Sequence, residues 1–178
     1  MAAGAEPLVV WINGAFGVGK TSVAEELVTV LPVAILFDPE LLGTLLRTVI
    51  PPDEQTDDFQ DIPAWRQLSR DSVVSLSRTR PGAVVVPMTL VDDASFREVV
   101  GGIRAEGVRL VHVELVAPVE SITERLRSRS DAEQWAVDRV ERCVAALTDV
   151  CFAEHLDAVS ATPQELAARI ERLVGSTA

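Results

Sequence analysis

The segment W-I-N-G-A-F-G-V-G-K-T, Trp11 to Thr21, sets three glycines within six positions and ends them on the only lysine of the chain. The other fifteen basic residues are arginine. Gly14, Ala15, Phe16, Gly17, Val18, Gly19, Lys20 and Thr21 fit G-x-x-x-x-G-K-[ST] in full, and Ser22 follows them directly. Glycines let successive backbone N–H groups converge on phosphate oxygens with no side chain in the way. A helix starting at the end of the loop adds a partial positive charge. Thr21 supplies a hydroxyl for Mg²⁺. A compact ammonium on a flexible stem can follow β- and γ-phosphates as charge moves, where a planar guanidinium is wider and needs a different cradle. The chemistry these residue types suit is nucleotide phosphate binding, with Lys20 as the mobile charge partner.

Other candidates are found where strands end. Asp38 follows an apolar run and precedes Pro39. It suits helix capping, and equally a general base or a magnesium-water ligand facing a γ-phosphate. The run V-V-V-P-M-T ends without the aspartate that often closes a Walker B strand, which weakens a motor or AAA-type ATPase reading. It leaves Thr21, Asp38 and waters to hold the metal. Thr89 is placed to face the site or to be an ordinary strand-end residue. Arg125 and Arg129 are one helical turn apart and share a face, while Arg139 and Arg142 are three apart on the next helix. Arginines flanking a break between helices can close over a triphosphate. The acidic stretch Asp53 to Asp61 reads as a solvated loop, and Phe59, Gln60, Trp65 and Arg66 within or just after it are candidates for lining an acceptor pocket. His112 and Glu114 alternate on one strand face without metal-ligand partners and read as structural.

These positions need a scaffold that brings strand ends together. Apolar runs of four to six residues alternate with helix-like segments, the pattern of a parallel sheet with helical crossovers. Strands are predicted at Leu8–Ile12, Val33–Phe37, Ala83–Val86, Val108–Val116 and Ala158–Ser160. A helix is predicted over Thr21–Leu31, with Val23, Leu27, Val30 and Leu31 on its inner face. Others run from Asp38-Pro39 to about Val49, from Pro63 to about Arg78, from Asp92 or Asp93 to about Ala105, from Pro118 into the arginine cluster, and from Asp131 to about Thr148. Thr162-Pro-Gln-Glu is a capping box for the last helix. Five strands separated by helices make an open doubly wound α/β sheet, whose ligands bind beyond the carboxyl ends of the strands.

Composition agrees with that class. At 178 residues the chain suits one domain, and its apolar fraction of 48% and charged fraction of 24% are ordinary for a soluble protein. A net charge of −11 with no Lys/Arg tract disfavours nucleic acid and anionic membrane as partners. The N-terminal residues lack signal-peptide character and no stretch has the apolar length of a bilayer span, so a cytoplasmic chain is expected. Cys143 and Cys151 match no metal or redox spacing and read as free core thiols.

With these residues in hand, the chain resembles the small P-loop kinases related to adenylate, shikimate and chloramphenicol kinases, and more closely the tunicamycin-resistance ATP-binding protein family. The likeness rests on the glycine-rich motif, on F-D-P-E-L-L-G with Arg47, and on D-D-F-Q-D-I-P-A-W-R. It continues through V-V-V-P-M-T, R-L-R-S-R and W-A-V-D-R-V-E-R-C-V. It implies a single P-loop NTPase domain over residues 1–178, a five-stranded parallel sheet in the order 2-3-1-4-5, a helical lid at about 127–140 and an acceptor-side segment at about 38–80. It implies ATP·Mg²⁺ as donor, Arg125 against the adenine, and Arg129 and Arg142 reaching phosphates. Asp38 falls where antibiotic kinases of this fold carry their base, and Arg139 falls where no arginine is expected. The implied activity is phosphoryl transfer to the hydroxyl of a small acceptor, such as a nucleoside antibiotic. A nucleotide or nucleoside kinase, or an ATP-binding protein that sequesters a drug without transfer, is the alternative.

Overall fold

The computed structural model describes residues 6–128, 134–148 and 154–176. Its centre is β1, Leu8–Gly14, whose run L-V-V-W-I-N-G is buried from Val9 onward. Such a continuously apolar strand needs cover on both faces, and it has it. Val10 and Ile12 face one core with the first and last helices, while Val9 and Trp11 face a second core on the other side. β1 pairs in parallel with β3, Ala83–Pro87, on one side and with β4, Arg109–Val116, on the other. β2, Ile35–Leu36, and β5, Glu154–Asp157, complete the edges, giving the order β2-β3-β1-β4-β5. Every pairing is parallel, as the alternation of strands and helices predicts.

The crossovers are α1 (Lys20–Val30), α2 (Glu40–Val49), α3 (Pro63–Thr79), α4 (Asp93–Phe96) and α5 (Gly102–Ala105) joined by a π-helical stretch, and α6 (Val119–Arg127). After them come α7 (Gln134–Val137), α8 (Val140–Thr148) and α9 (Pro163–Ser176). The capping box predicted for α9 forms: the Glu165 carboxylate accepts from the Thr162 N–H at 2.8 Å, and Thr162 Oγ1 accepts from the Glu165 N–H at 3.3 Å. Asp92 caps α4 by accepting from the Ser95 N–H at 2.8 Å.

Three boundaries differ from the sequence reading. Val33 adopts φ 56, in the left-handed region, because the chain turns there against Gly82, so the second strand shrinks to two residues. The fifth strand lies earlier than Ala158–Ser160. The Asp157 carboxylate accepts from the Val159 N–H and the Ser160 hydroxyl, turning that segment, while Leu156 is the one inward residue of the edge strand. Val30 is exposed, since α1 buries Val23, Ala24 and Leu27 and ends before Leu31. The helix start expected at Asp131 lies outside the described residues, as does Cys151. Cys143 is buried and free.

Candidate functional site

Between β1 and α1 the chain makes its glycine-rich bend, and the geometry explains each glycine. Gly14, Gly17 and Gly19 have φ of 143, 79 and 112. A Cβ on Gly14 would come within 2.8 Å of the Leu115 carbonyl oxygen, and one on Gly17 within 2.5 Å of the Leu126 side chain. At Gly19 the space is open. The start of the loop is pinned from β3's end. Asn13 Oδ1 accepts from the N–H groups of Gly14 and Leu90, its Nδ2 donates to the Leu90 carbonyl, and Thr89 Oγ1 donates to the Gly14 carbonyl at 2.8 Å. α1 then begins at Lys20, so its N-terminal amides and positive dipole end open onto the same space.

Lys20 Nζ donates to the carbonyls of Gly14 and Ala15 at 3.1 and 3.0 Å. Burial pulls its pKa down to about 8, opposed by the charges of Glu40 and Asp38. An ammonium held on two carbonyls and partly stripped of water is poised to exchange them for phosphate oxygens.

Two cavities meet at this loop, both lined by Gly17, Lys20 and Thr21. One, of about 380 Å³, runs along Ser22 and Val23 to Arg125, Ala158 and Ala161. The Arg125 guanidinium bridges the Val18 and Ala158 carbonyls at 3.2 and 2.8 Å, fixing one wall. The other, of about 550 Å³, is bounded by Phe16, Asp38, Glu40, Thr44, Arg47, Asp57, Asp58, Phe59, Gln60 and Trp135, among others. α2 supplies Glu40, Thr44 and Arg47 at helical spacing, and Pro39 starts the helix with Asp38 Oδ1 accepting from the Glu40 N–H at 2.9 Å. Phe59 lies over Gly43, where any side chain would collide with its ring.

Of the residues expected to contact an acceptor, Arg47, Phe59 and Gln60 line this cavity, with Arg47 donating to the Asp57 carbonyl and Gln60 to that of Thr89. Three do not. Trp65 is fully buried, packs 5.3 Å from Phe59 and donates from Nε1 to the Pro39 carbonyl, so it supports the wall from behind. Arg66 is held by Glu98 and the Gln60 carbonyl, both at 2.6 Å. Thr89 is buried under the loop it anchors. Arg142 is exposed on α8 and lines neither cavity. Arg129 lies outside the described residues.

The cavity also contains residues that sequence reasoning left without a role. Asp57 and Asp58 belong to the stretch taken for a solvated loop, but it is folded: two 3₁₀ turns, Pro52–Glu54 and Phe59–Asp61, shape it, and Asp58 caps the second. Trp135 on α7 lies edge-on to Phe16 at 5.2 Å, and the Arg139 guanidinium stacks on its indole at 4.0 Å. That gives the unexpected Arg139 a physical role. The helical spacing Glu40, Thr44, Arg47 was the available signal for α2; a lone tryptophan after an arginine cluster gave none for Trp135.

The AAA domain family matches residues 9–153. The tunicamycin resistance protein of Deinococcus radiodurans superposes with a TM-score of 0.79 and 32% identity, over 94% of this chain and 96% of that one. The chain belongs to the tunicamycin-resistance family. Within that family it has the architecture of the small P-loop kinases. A gluconokinase from Sinorhizobium meliloti superposes with a TM-score of 0.66 at 17% identity, over 96% of this chain and 95% of that one. The shikimate kinase of Acinetobacter baumannii does so at 0.60 and 20%, over 97% and 96%. No curated protein sequence matches. The missing acid at the end of β3 pointed away from an AAA-type protein, and the family match corrects that. Among the described residues no helix is long and apolar enough to cross a membrane.

Proposed function

We propose that this chain transfers the γ-phosphoryl group of ATP to a hydroxyl of a small acceptor, in the class of nucleoside antibiotics that the name of its Deinococcus relative suggests. The observation that carries the reading is the pair of cavities meeting at Gly17, Lys20 and Thr21, one for a donor and one for an acceptor. On this reading residues 1–178 act as one P-loop kinase-like domain, with residues 38–80 as its acceptor side and about 127–140 as its lid.

The residues present fit ATP and Mg²⁺. The left-handed glycines, the start of α1 and the partly dehydrated Lys20 suit a polyphosphate. Thr21 and Asp38 offer hard oxygen donors on one cavity wall, suited to a cation that keeps several waters. No group of three or more His, Cys, Asp or Glu able to hold a metal occurs among the described residues. Mg²⁺ bound there would neutralise phosphate charge.

In the proposed reaction Asp38 accepts the acceptor's hydroxyl proton as the oxygen–phosphorus bond forms and the bond from phosphorus to the β–γ bridging oxygen breaks. Lys20 follows the charge that gathers on the bridging and γ-oxygens, leaving ADP and a phosphorylated acceptor. Arg47, Phe59 and Gln60 orient the acceptor, Arg125 holds the donor wall, Arg129 is the proposed lid arginine, and Arg142, which lines neither cavity, would need a lid movement to reach phosphate.

The test is mass spectrometry of products after incubation with ATP, Mg²⁺ and a panel containing tunicamycin, nucleosides and nucleoside monophosphates. A tunicamycin-type product 80 Da heavier supports the reading. A phosphorylated monophosphate assigns a nucleotide kinase, and ATP-dependent binding without a product assigns sequestration.

A further inference from the structure

The helix α2 that walls the acceptor cavity carries a second, unrelated face. Leu41, Leu45 and Val49 recur at four-residue spacing and are 67%, 54% and 71% exposed. Leu42 and Leu46 on the same helix pack into the core, so burial of α2 in the monomer is already complete without the outer three. Leu36 on β2 and Leu68 on α3, which packs against α2, are also exposed large apolar residues. Singly exposed leucines are ordinary; three large apolar residues at helical spacing along one helix form an interaction surface.

Charge and shape identify its occupant. The chain carries −11, yet residues 41–46, L-L-G-T-L-L, carry no charge. Glu40 and Arg47, the charges of α2, line the cavity instead, and Arg47 is held there by the Asp57 carbonyl. The row therefore lacks the basic fringe that would hold an anionic lipid surface, and it offers a basic or acidic protein no countercharge. Residues 41–46 bring no charge of their own into contact with a second copy of this chain. A row at i, i+4, i+8 is also the ridge that interdigitates with its own kind. Across a two-fold axis at Leu45, two antiparallel α2 helices set Leu45 on Leu45 and Leu41 on Val49.

We propose that the chain forms a two-fold homodimer through the Leu41–Leu45–Val49 face of α2. Each α2 then packs on three sides while its remaining face, with Glu40, Thr44 and Arg47, walls the cavity. The interface is small, so association in the range of roughly 1–100 μM is expected.

Sedimentation velocity from about 1 to 300 μM tests it. The expected result is a concentration-dependent dimer that Leu45→Glu abolishes, with the same Tm and near-ultraviolet spectrum as the parent. The control Val159→Glu, at an exposed apolar position on another part of the chain, keeps the dimer. In a Cys151→Ser background, Leu45→Cys should form a disulfide-linked dimer on mild oxidation. A parent chain that stays monomeric throughout, a dimer that survives Leu45→Glu, or a dimer without the Leu45→Cys cross-link overturns the proposal. So does a monomer that instead sediments with neutral phosphatidylcholine vesicles.

Discussion

Because Lys20 titrates near pH 8, nucleotide affinity should depend on pH where an ordinary lysine is still inert. Burial lowers its pKa, and a bound polyphosphate would restore the charged form. The free protein therefore has to take up a proton to bind once the pH exceeds about 8, and apparent affinity falls toward tenfold per further unit. Between pH 7 and pH 9 the expected loss is about tenfold, whereas a lysine near 10.4 predicts a change of a few per cent. Phosphates are fully ionised above about pH 7.5, and neither histidine is near this site, so the window is clean. Calorimetric titration with a non-hydrolysable ATP analogue from pH 7 to 9.5 measures it. Glu40→Gln removes the largest charge holding the pKa up, so the decline should begin at lower pH. Flat affinity up to pH 9.5 would refute the claim that Lys20 is partly dehydrated on the Gly14 and Ala15 carbonyls.

Asp38→Asn keeps an oxygen to accept from the Glu40 N–H, so Tm and ATP binding should stay near the parent while turnover drops by about 10² to 10⁴; normal turnover would leave Asp38 a cap alone, and recovery at high Mg²⁺ would make it a metal ligand. Gly17→Ala places a Cβ 2.5 Å from Leu126 at φ 79, so a loss of about 1–3 kcal/mol in stability, with weaker nucleotide binding, should appear in thermal melts and titrations. Glu114, buried with no hydrogen bond on its carboxylate and 3.7 Å from His155, has its pKa raised to about 7 by desolvation. Its contribution to stability is whole below pH 4.5 and lost as pH rises to about 7. Glu114→Gln should therefore leave stability at pH 4.5 alone and raise it at pH 8 by up to about 3 kcal/mol in denaturant melts; an equal effect at both would contradict this.

The parallel sheet and the phosphate loop were legible in the chain because continuous apolar runs and glycine spacing are local signals, while the strand order followed from the family resemblance. What escaped was set by distant contacts. Trp65 and Phe59 are six apart in one aromatic stretch, yet the packing of α2 sends one into the core and leaves the other on the cavity wall. Arg66 carries a charge that Glu98, thirty-two residues away, engages. Thr89 gave an even choice between site and scaffold, and the Gly14 carbonyl decides for scaffold. Edge strand β2 was drawn too long and β5 misplaced because each has few inward residues and so a weak pattern.

The stack of Arg139 on Trp135 against Phe16 has an optical consequence. The chain has no tyrosine and three tryptophans, so emission excited at wavelengths longer than phenylalanine absorbs comes from indole. Trp11 and Trp65 are sealed in the core, out of direct contact with whatever enters the site. Trp135 alone of the three borders the larger of the two cavities at the loop, with a cation on one face and the ring of a phosphate-loop residue at its edge. Displacing either neighbour changes the electric field across one emitter of three. Without any label, the protein carries a fluorimeter's probe where the phosphate loop meets α7, and its emission above that of Trp135→Phe reads occupancy of that junction in real time.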